Sequence, residues 1–396
     1  MIFIFLLFIY IFVYLTISKH VNSYINFMIP VIGFQVIQSV IAPLLGVFLG
    51  TLKINYVDYE VCLALIIYNL TIVLGIKLKK TKVEQVVFNI WDYLDFTTNK
   101  KKLLRTSFVL IIILTFLVMG VSSIGVISII KNPRNFYQFH REGIGAFYSL
   151  YVSTILLLEL YTQYTVKNKR KKIFFLFICL IFLYFSASKE AFVYAAFIFI
   201  FFYDLKHKLK FKHLIIIAFV MIFLMGVLMI AQGTASSISG IISYFDYYYN
   251  TRLFFEKILN EGELFHGEIF TSSFYKYIPR GIIESKPKVY GSILIQEMLF
   301  PGLAESNHYP AFMGIVYNMG DFGFFELFIK SFILGISYGL KFSYYNQRKT
   351  FWSLVIYMSN FYAIFWLFGG WMNYFYWMLI CFLMITINTI KYLRRI

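Results

Sequence analysis

The sequence predicts an all-α integral membrane protein: a single polytopic domain over 1–396, with about eleven transmembrane helices and one large extracytoplasmic loop. Three observations predict it. The chain is 60% hydrophobic and only 14% charged, with a mean hydropathy of +0.74, so it has too little polar surface to present to water. Apolar runs recur along the whole length, most of them long enough to cross the hydrocarbon core. Basic residues gather in alternate connections, as they do in short loops kept in the cytoplasm.

The spans are expected near 2–17, 27–49, 60–76, 107–130, 146–166, 173–187, 190–203, 213–231, 321–345, 351–369 and 374–391. The first run has no basic residue before it and no small-residue cleavage site after it, the pattern of a retained span rather than a cleaved signal. Pro30 and Pro43 interrupt the second, so a re-entrant segment there is the alternative to a full crossing. One side then collects Lys77, Lys79, Lys80, Lys82, Lys100, Lys101, Lys102 and Arg105. To these it adds the 167–172 run, four lysines between Lys206 and Lys212, Arg348 with Lys349, and the tail from Lys391 to Arg395. That side is the cytoplasm, which places the amino terminus outside and the carboxyl terminus inside.

The net charge of +17 is thereby accounted for as a topology signal, helped by contact with anionic headgroups of membrane lipid. It does not call for nucleic acid. Cys62, Cys179 and Cys381 sit inside apolar runs with no metal-ligand spacing, which makes them small core residues and gives no reason to expect a metal, cofactor or disulfide.

Two outer loops carry the candidate chemistry. The smaller reads KNPRNFYQFHREGIG over 131–145, and the larger runs from about Gln232 to Pro310, far longer than a connection between helices requires. Each contains an arginine followed by ten residues and a glycine: Arg134 with Gly145, and Arg280 with Gly291. The large loop opens with IISYFDYYYNTRLFFEKILN. Ile241, Ile242, Phe245, Tyr248, Tyr249, Arg252 and Phe255 approximate one face of an amphipathic helix there, with Asp246 and Asn250 elsewhere. Such a helix either lies at the membrane interface or packs on the spans as a lid. Lys286 and Lys288 follow Arg280 closely, and with Arg134 and Arg141 they form a candidate positive funnel for a pyrophosphate. The tyrosines and phenylalanines of the loop suit the apolar faces of sugar rings, or equally an interfacial belt.

Ionisable residues at membrane depth are candidates too. Glu159 lies in the fifth span; Glu326 and Lys330 are spaced for an ion pair on the ninth. The SASKEAF stretch, 186–192, makes a tight outer hairpin that sets Ser188, Lys189 and Glu190 at the mouth of the bundle. His308, just before Pro310, is the best candidate base for activating a hydroxyl, because imidazole takes a proton near neutral pH. Glu305 and Asp321 are nearby carboxylates able to do the same, and His140 and His266 are further external histidines.

The SASKEAF hairpin, the PRGIIESKP segment and the stretch GIVYNMGDFGFFELFIKSFILGISYG resemble the oligosaccharide repeat-unit polymerases of O-antigen and capsule synthesis. The likeness covers nearly the full length in architecture and these short patches in residues. It implies a multi-pass protein of the bacterial cytoplasmic membrane, using polyprenyl-pyrophosphate-linked oligosaccharide and working beside a flippase and a chain-length regulator. In some members of that family, arginines of Arg-x10-Gly stretches in two outer loops are needed for polymerisation; the matching positions are Arg134 with Gly145 and Arg280 with Gly291. The resemblance implies metal-independent, inverting glycosyl transfer, with Arg134 and Arg280 holding the leaving pyrophosphate and His308 as base. His308 followed by Gly320 and Gly323 is similar to a motif of the O-antigen ligases, but departs from it in spacing and in the residue after the histidine. A lipid-linked-sugar flippase is the rival from another class; it would show internal repeats and short loops, whereas one loop dominates here.

Overall fold

The computed structural model describes residues 1–26, 28–78, 81–93, 95, 101–122, 125–131, 133, 145–210, 247–277, 285–302 and 310–358, with scattered positions between 212 and 230. Every regular element among the described residues is helical. Among the described residues, five helical stretches are long and apolar enough to cross a membrane: Ile2–Val21, Val31–Phe48, Tyr56–Lys77, Leu104–Val121 and Gly323–Arg348. Most of the expected eighth span, the tenth beyond 358 and the whole eleventh lie outside the described residues, as does Cys381.

The chain divides into two units. The first holds 1–22, 28–79 and 237–340. Its helix α1 (Ile2–Val21) is apolar all round, and burial alone reveals its faces. Phe3, Leu6, Tyr10, Val13 and Ile17 are buried at three- and four-residue spacing, while Phe5, Phe8, Phe12 and Leu15 are exposed. Helices α2 (Met28–Val36) and α3 (Ala42–Phe48) are joined by a π-helical turn over Ile37–Ile41. That turn answers the proline question. Pro30 stands in the first turn of α2, Pro43 at the start of α3, and the widened register lets the Ala42 N–H reach the Ile37 carbonyl. The run thus continues as helix through both prolines.

Polar side chains bridge these helices to α4 (Tyr56–Lys77). Tyr10 and Ser39 share a hydrogen bond of 2.7 Å, and the Asn69 amide donates to Gln35 Oε1 at 3.0 Å. In a membrane each such bond contributes about 0.6 kcal/mol. Two glycines set a closer contact. A methyl group on Gly75 would lie 2.4 Å from the Phe332 carbonyl oxygen, and one on Gly335 would lie 2.3 Å from that of Ile72. Backbones meet there, between α4 and the long helix Gly323–Arg348, as small residues allow between apolar helices.

The second unit holds 23–27, 80–236 and 341–396. It contains α5 (Thr81–Tyr93), α6 (Lys101–Ser122), α7 (Val126–Lys131), α8 (Gly145–Thr165), α9 (Lys169–Phe185) and α10 (Lys189–His207). The fourth expected span, 107–130, is a correction. Helix α6 begins six residues earlier and stops at Ser122, and Gly125, at φ +89°, turns the chain before α7. Helix α8 is the hub: α6, α9 and α10 all pack on it, and Tyr151, Ile155, Leu156, Leu158, Leu160 and Tyr161 are buried. Between α9 and α10 the SASKEAF hairpin forms as expected. Ser188 Oγ caps α10 by accepting from the Ala191 N–H, and Ala187 takes φ +51°.

Candidate functional site

Arg134, Arg141, Arg280 and His308 lie outside the described residues, as do His140, Asp246 and Glu305. What the structure describes, within the first unit, is the stretches that flank Arg280 and His308 in the chain. The segment expected to be amphipathic is described from Tyr247. It forms α11 (Tyr248–Phe254), followed by a π-helical turn over Phe255–Leu259. Ile241, Ile242 and Phe245 of its expected face fall outside the described residues. Of the rest, Tyr248 and Phe255 are buried and Arg252 nearly so, but Tyr249, about 100° round the helix from Tyr248, is exposed, so the buried face is narrower than expected. The described part packs as a lid on α4 and α1, with the Tyr248 ring edge-on to Phe3 at 5.7 Å.

An acid at the start of α4 holds that lid. Asn55 and Asp58 form a reciprocal capping box, in which Asn55 Oδ1 accepts from the Val57 N–H and Asp58 Oδ2 from the Asn55 N–H. Asp58 is fully buried. Its other oxygen accepts the Tyr248 hydroxyl at 2.8 Å and lies 3.4 Å from Arg252 Nε. The Arg252 guanidinium also reaches Glu256, at 3.4 Å. Arg252, a candidate for substrate, is therefore engaged by two carboxylates and fastens the lid to α4. Asn260 adds a hydrogen bond to Glu60 at 2.9 Å.

The lid in turn holds the stretch that follows His308. Asn250 donates to the Ala311 carbonyl, the Met313 N–H donates to Thr251 Oγ1, and Gln296 of α13 (Ile293–Leu299) donates to the Pro310 carbonyl. Beyond it, Asp321 is a structural residue rather than a free base. Its carboxylate accepts the N–H groups of Gly267, Ile269 and Phe270, each at 2.9 Å, and so fixes α12 (Glu268–Ser272). Helix α14 (Gly323–Arg348) begins beside it. Glu326 accepts the Asp321 and Phe322 N–H groups and pairs with Lys330, the expected ion pair with an added capping role.

The glycines of the sequence patterns have local causes. Gly291 sits at φ +57°, donates its N–H to Ser272 Oγ at 2.8 Å, and leaves no room for a side chain against Ser273. Gly145 opens α8. Gly320 admits the Ile269 and Ile295 side chains, and Gly323 takes φ +60°. Of the candidate cations, Lys286 Nζ stands 4.9 Å over the Tyr290 ring, which meets Tyr275 at 6.4 Å. Lys288 is exposed two residues on, and Lys189 begins α10 in the other unit. His266 is exposed in a left-handed turn, with its N–H on the Asp321 carbonyl.

Glu159, on α8 of the second unit, is buried without an ionic partner at bonding distance among the described residues. Gln163 donates to one of its oxygens at 2.7 Å, the other has no hydrogen-bond partner there, and Lys172 binds the Gln163 carbonyl. Cys62 and Cys179 are buried thiols, as expected. Compared with protein-family models, curated proteins and solved structures, the chain matches none, so its own residues carry the functional argument.

Proposed function

We propose that this chain joins polyprenyl-pyrophosphate-linked oligosaccharide repeat units into a surface polysaccharide, O-antigen or capsule. It acts as a glycosyltransferase of about eleven spans in the bacterial cytoplasmic membrane, with the 232–310 loop outside. The observation that supports this reading best is the ladder of Lys286, Tyr290 and Tyr275, locked to the 268–277 segment through Gly291. A cation over one of two neighbouring, mutually tilted aromatic rings offers one group for phosphate and ring faces for sugar, on a segment pinned by the Gly291 N–H on Ser272. Arg280, a few residues before it in the chain, and Arg134 with Arg141 in the smaller loop would complete the cationic lining. Lys288 and Lys189 add charge, and Gly145 and Gly291 shape the turns.

In the reaction a sugar hydroxyl of the single repeat unit attacks the anomeric carbon of the growing chain. The bond from that carbon to the pyrophosphate oxygen breaks, and polyprenyl pyrophosphate leaves as an anion. His308 takes the hydroxyl proton, and direct displacement inverts the anomeric centre. The arginines hold the charge that develops on the leaving group, so Arg280→Ala should lower the rate about 100-fold. Arg280→Lys should recover little, since one point charge does not replace a fork. Polymer length on gels from cells expressing each variant at equal membrane levels tests this, and unchanged length in Arg280→Ala would refute the clamp.

A second reading, transport of the lipid-linked unit, is favoured by Glu159, a buried carboxylate with one oxygen unbonded among the described residues, because ionisable groups at membrane depth mark substrate and ion pathways. Glu159→Gln separates the two. Under the polymerase reading the polymer length is unchanged; under the transport reading delivery of the repeat unit fails.

A further inference from the structure

We infer that the Glu268–Tyr277 segment is a membrane anchor, with Phe270 and Phe274 immersed in lipid at the end of an exposed apolar stripe on α14. The inference needs only that α14 crosses a bilayer, and it stands apart from the polymerase reading. The segment consists of α12 and the 3-10 turn Ser273–Tyr277. It has two sides. On the inner side Ile269 is buried, seated where Gly320 leaves space: a methyl group on Gly320 would fall 2.3 Å from Ile269 Cδ1. The Asp321 carboxylate holds the N–H groups of residues 267, 269 and 270, so the helix cannot roll about its axis without losing them.

That orientation turns two phenylalanines outward. Phe270 is 62% exposed and Phe274 57%, and their rings pack edge to face at 5.8 Å. At the start of the segment, a methyl group on Gly267 would lie 3.6 Å from Phe322 Cζ. Phe322, Phe325, Ile329 and Ile333 are all exposed and follow one another at three- and four-residue spacing, which makes one stripe along α14. Facing water, two adjacent phenylalanines would be an adhesive patch. Facing lipid, they extend a surface that α14 already offers to hydrocarbon.

The far edge of the segment has the opposite chemistry. Gly291 is bonded to Ser272, Tyr290 lies against Tyr275, and Lys286 stands over Tyr290. Phenylalanine, then tyrosine, then lysine is the order in which a bilayer passes from hydrocarbon through interface to phosphate. The occupant of this surface is therefore the bilayer leaflet at the first turn of α14, and Lys286 stands at its phosphate layer.

Spin labels placed singly in protein reconstituted in liposomes test this, with Cys62, Cys179 and Cys381 replaced by alanine. Labels at Phe270→Cys, Phe274→Cys and, as reference, Phe325→Cys should collide mainly with oxygen, which partitions into lipid. Labels at Glu268→Cys and Thr271→Cys, exposed on the same helix, should collide mainly with a water-soluble nickel chelate. Nickel access at 270 and 274 equal to that at 268 and 271 overturns the anchor. The unaltered chain gives a second readout, in which a phospholipid carrying a carbene source on its acyl chain should label the 268–277 peptide. Absence of label there, with label on α14, also overturns it. Neither experiment reads polymer, so failure of the anchor and failure of the polymerase reading are distinguishable.

Discussion

The two ends of α14 are each tied to a segment that does not span the membrane, and they are tied by different physics. At its start, Asp321 and Glu326 accept backbone N–H groups in buried surroundings and fix the 265–277 stretch. At its end, in the second unit, Tyr344 and Arg348 bind Asp92 of the amphipathic helix α5, and Trp352 donates to the Trp91 carbonyl. There the Arg348–Asp92 pair is a side-chain fork with both partners well exposed. Backbone bonds to a buried carboxylate fix a segment in one geometry, which a reaction centre requires. An exposed ion pair holds its partner loosely and answers to salt. The start of α14 is built to position groups, and its end to tether a helix.

Breaking the starting end should have the largest effect. Asp321→Ala strands three N–H groups, that of Ile269 in a buried place and those of Gly267 and Phe270 part-buried, at about 1–3 kcal/mol for a buried one left unpaired. Thermal unfolding in detergent should show a large loss, and limited proteolysis should open the 265–277 stretch. Next comes Arg252→Ala, which leaves Asp58 buried with only Tyr248 and its own helix cap; about 3 kcal/mol is expected. Restoring neutrality with Asp58→Asn in the same chain should recover part of the melting temperature. Gly291→Val is smaller, about 1–3 kcal/mol, from the positive φ and the crowding at Ser273. It should shorten polymer while leaving the second unit's protease pattern unchanged.

Asp92→Asn should have the smallest effect, about 0.2–1 kcal/mol, fading in high salt. Burial opposes ionisation of Asp92, but hydrogen bonds from Arg348 and Tyr344 outweigh it and hold the carboxyl below its usual range. A depressed folded pKa gives stability that is fully present above the unfolded pKa and lost as pH falls through the folded one. The wild-type advantage over Asp92→Asn should be constant from neutral pH to about 5 and vanish only in stronger acid. An advantage that already declines between pH 7 and 6 would contradict the assignment.

Much of this was legible in the sequence, for reasons that differ from residue to residue. Hydrocarbon thickness dictates run length, so the helices around 2–21, 31–48, 56–77 and 323–348 are visible as apolar runs. The Glu326–Lys330 pair is legible because four residues make one helical turn. The capping box of Asn55 and Asp58 is equally visible as an Asn-x-x-Asp pattern before an apolar run. The role of Asp321 was not legible, because its partners lie more than fifty residues earlier in the chain. Nor was the outward face of Phe270 and Phe274, on a helix too short for periodicity to register. The amphipathic pattern of 241–260 stands out instead, and its described part is the lid, with Tyr248, Phe254, Phe255 and Ile258 buried.

The central claim is that this chain makes polymer by itself. Purified protein in liposomes, supplied with its host's polyprenyl-pyrophosphate-linked repeat unit, is the direct test, with products sized on gels. The account predicts a ladder rising in repeat-unit steps, lost with Arg280→Ala. An absent ladder, with the repeat unit carried across the vesicle membrane instead, would contradict it and make the chain a transporter.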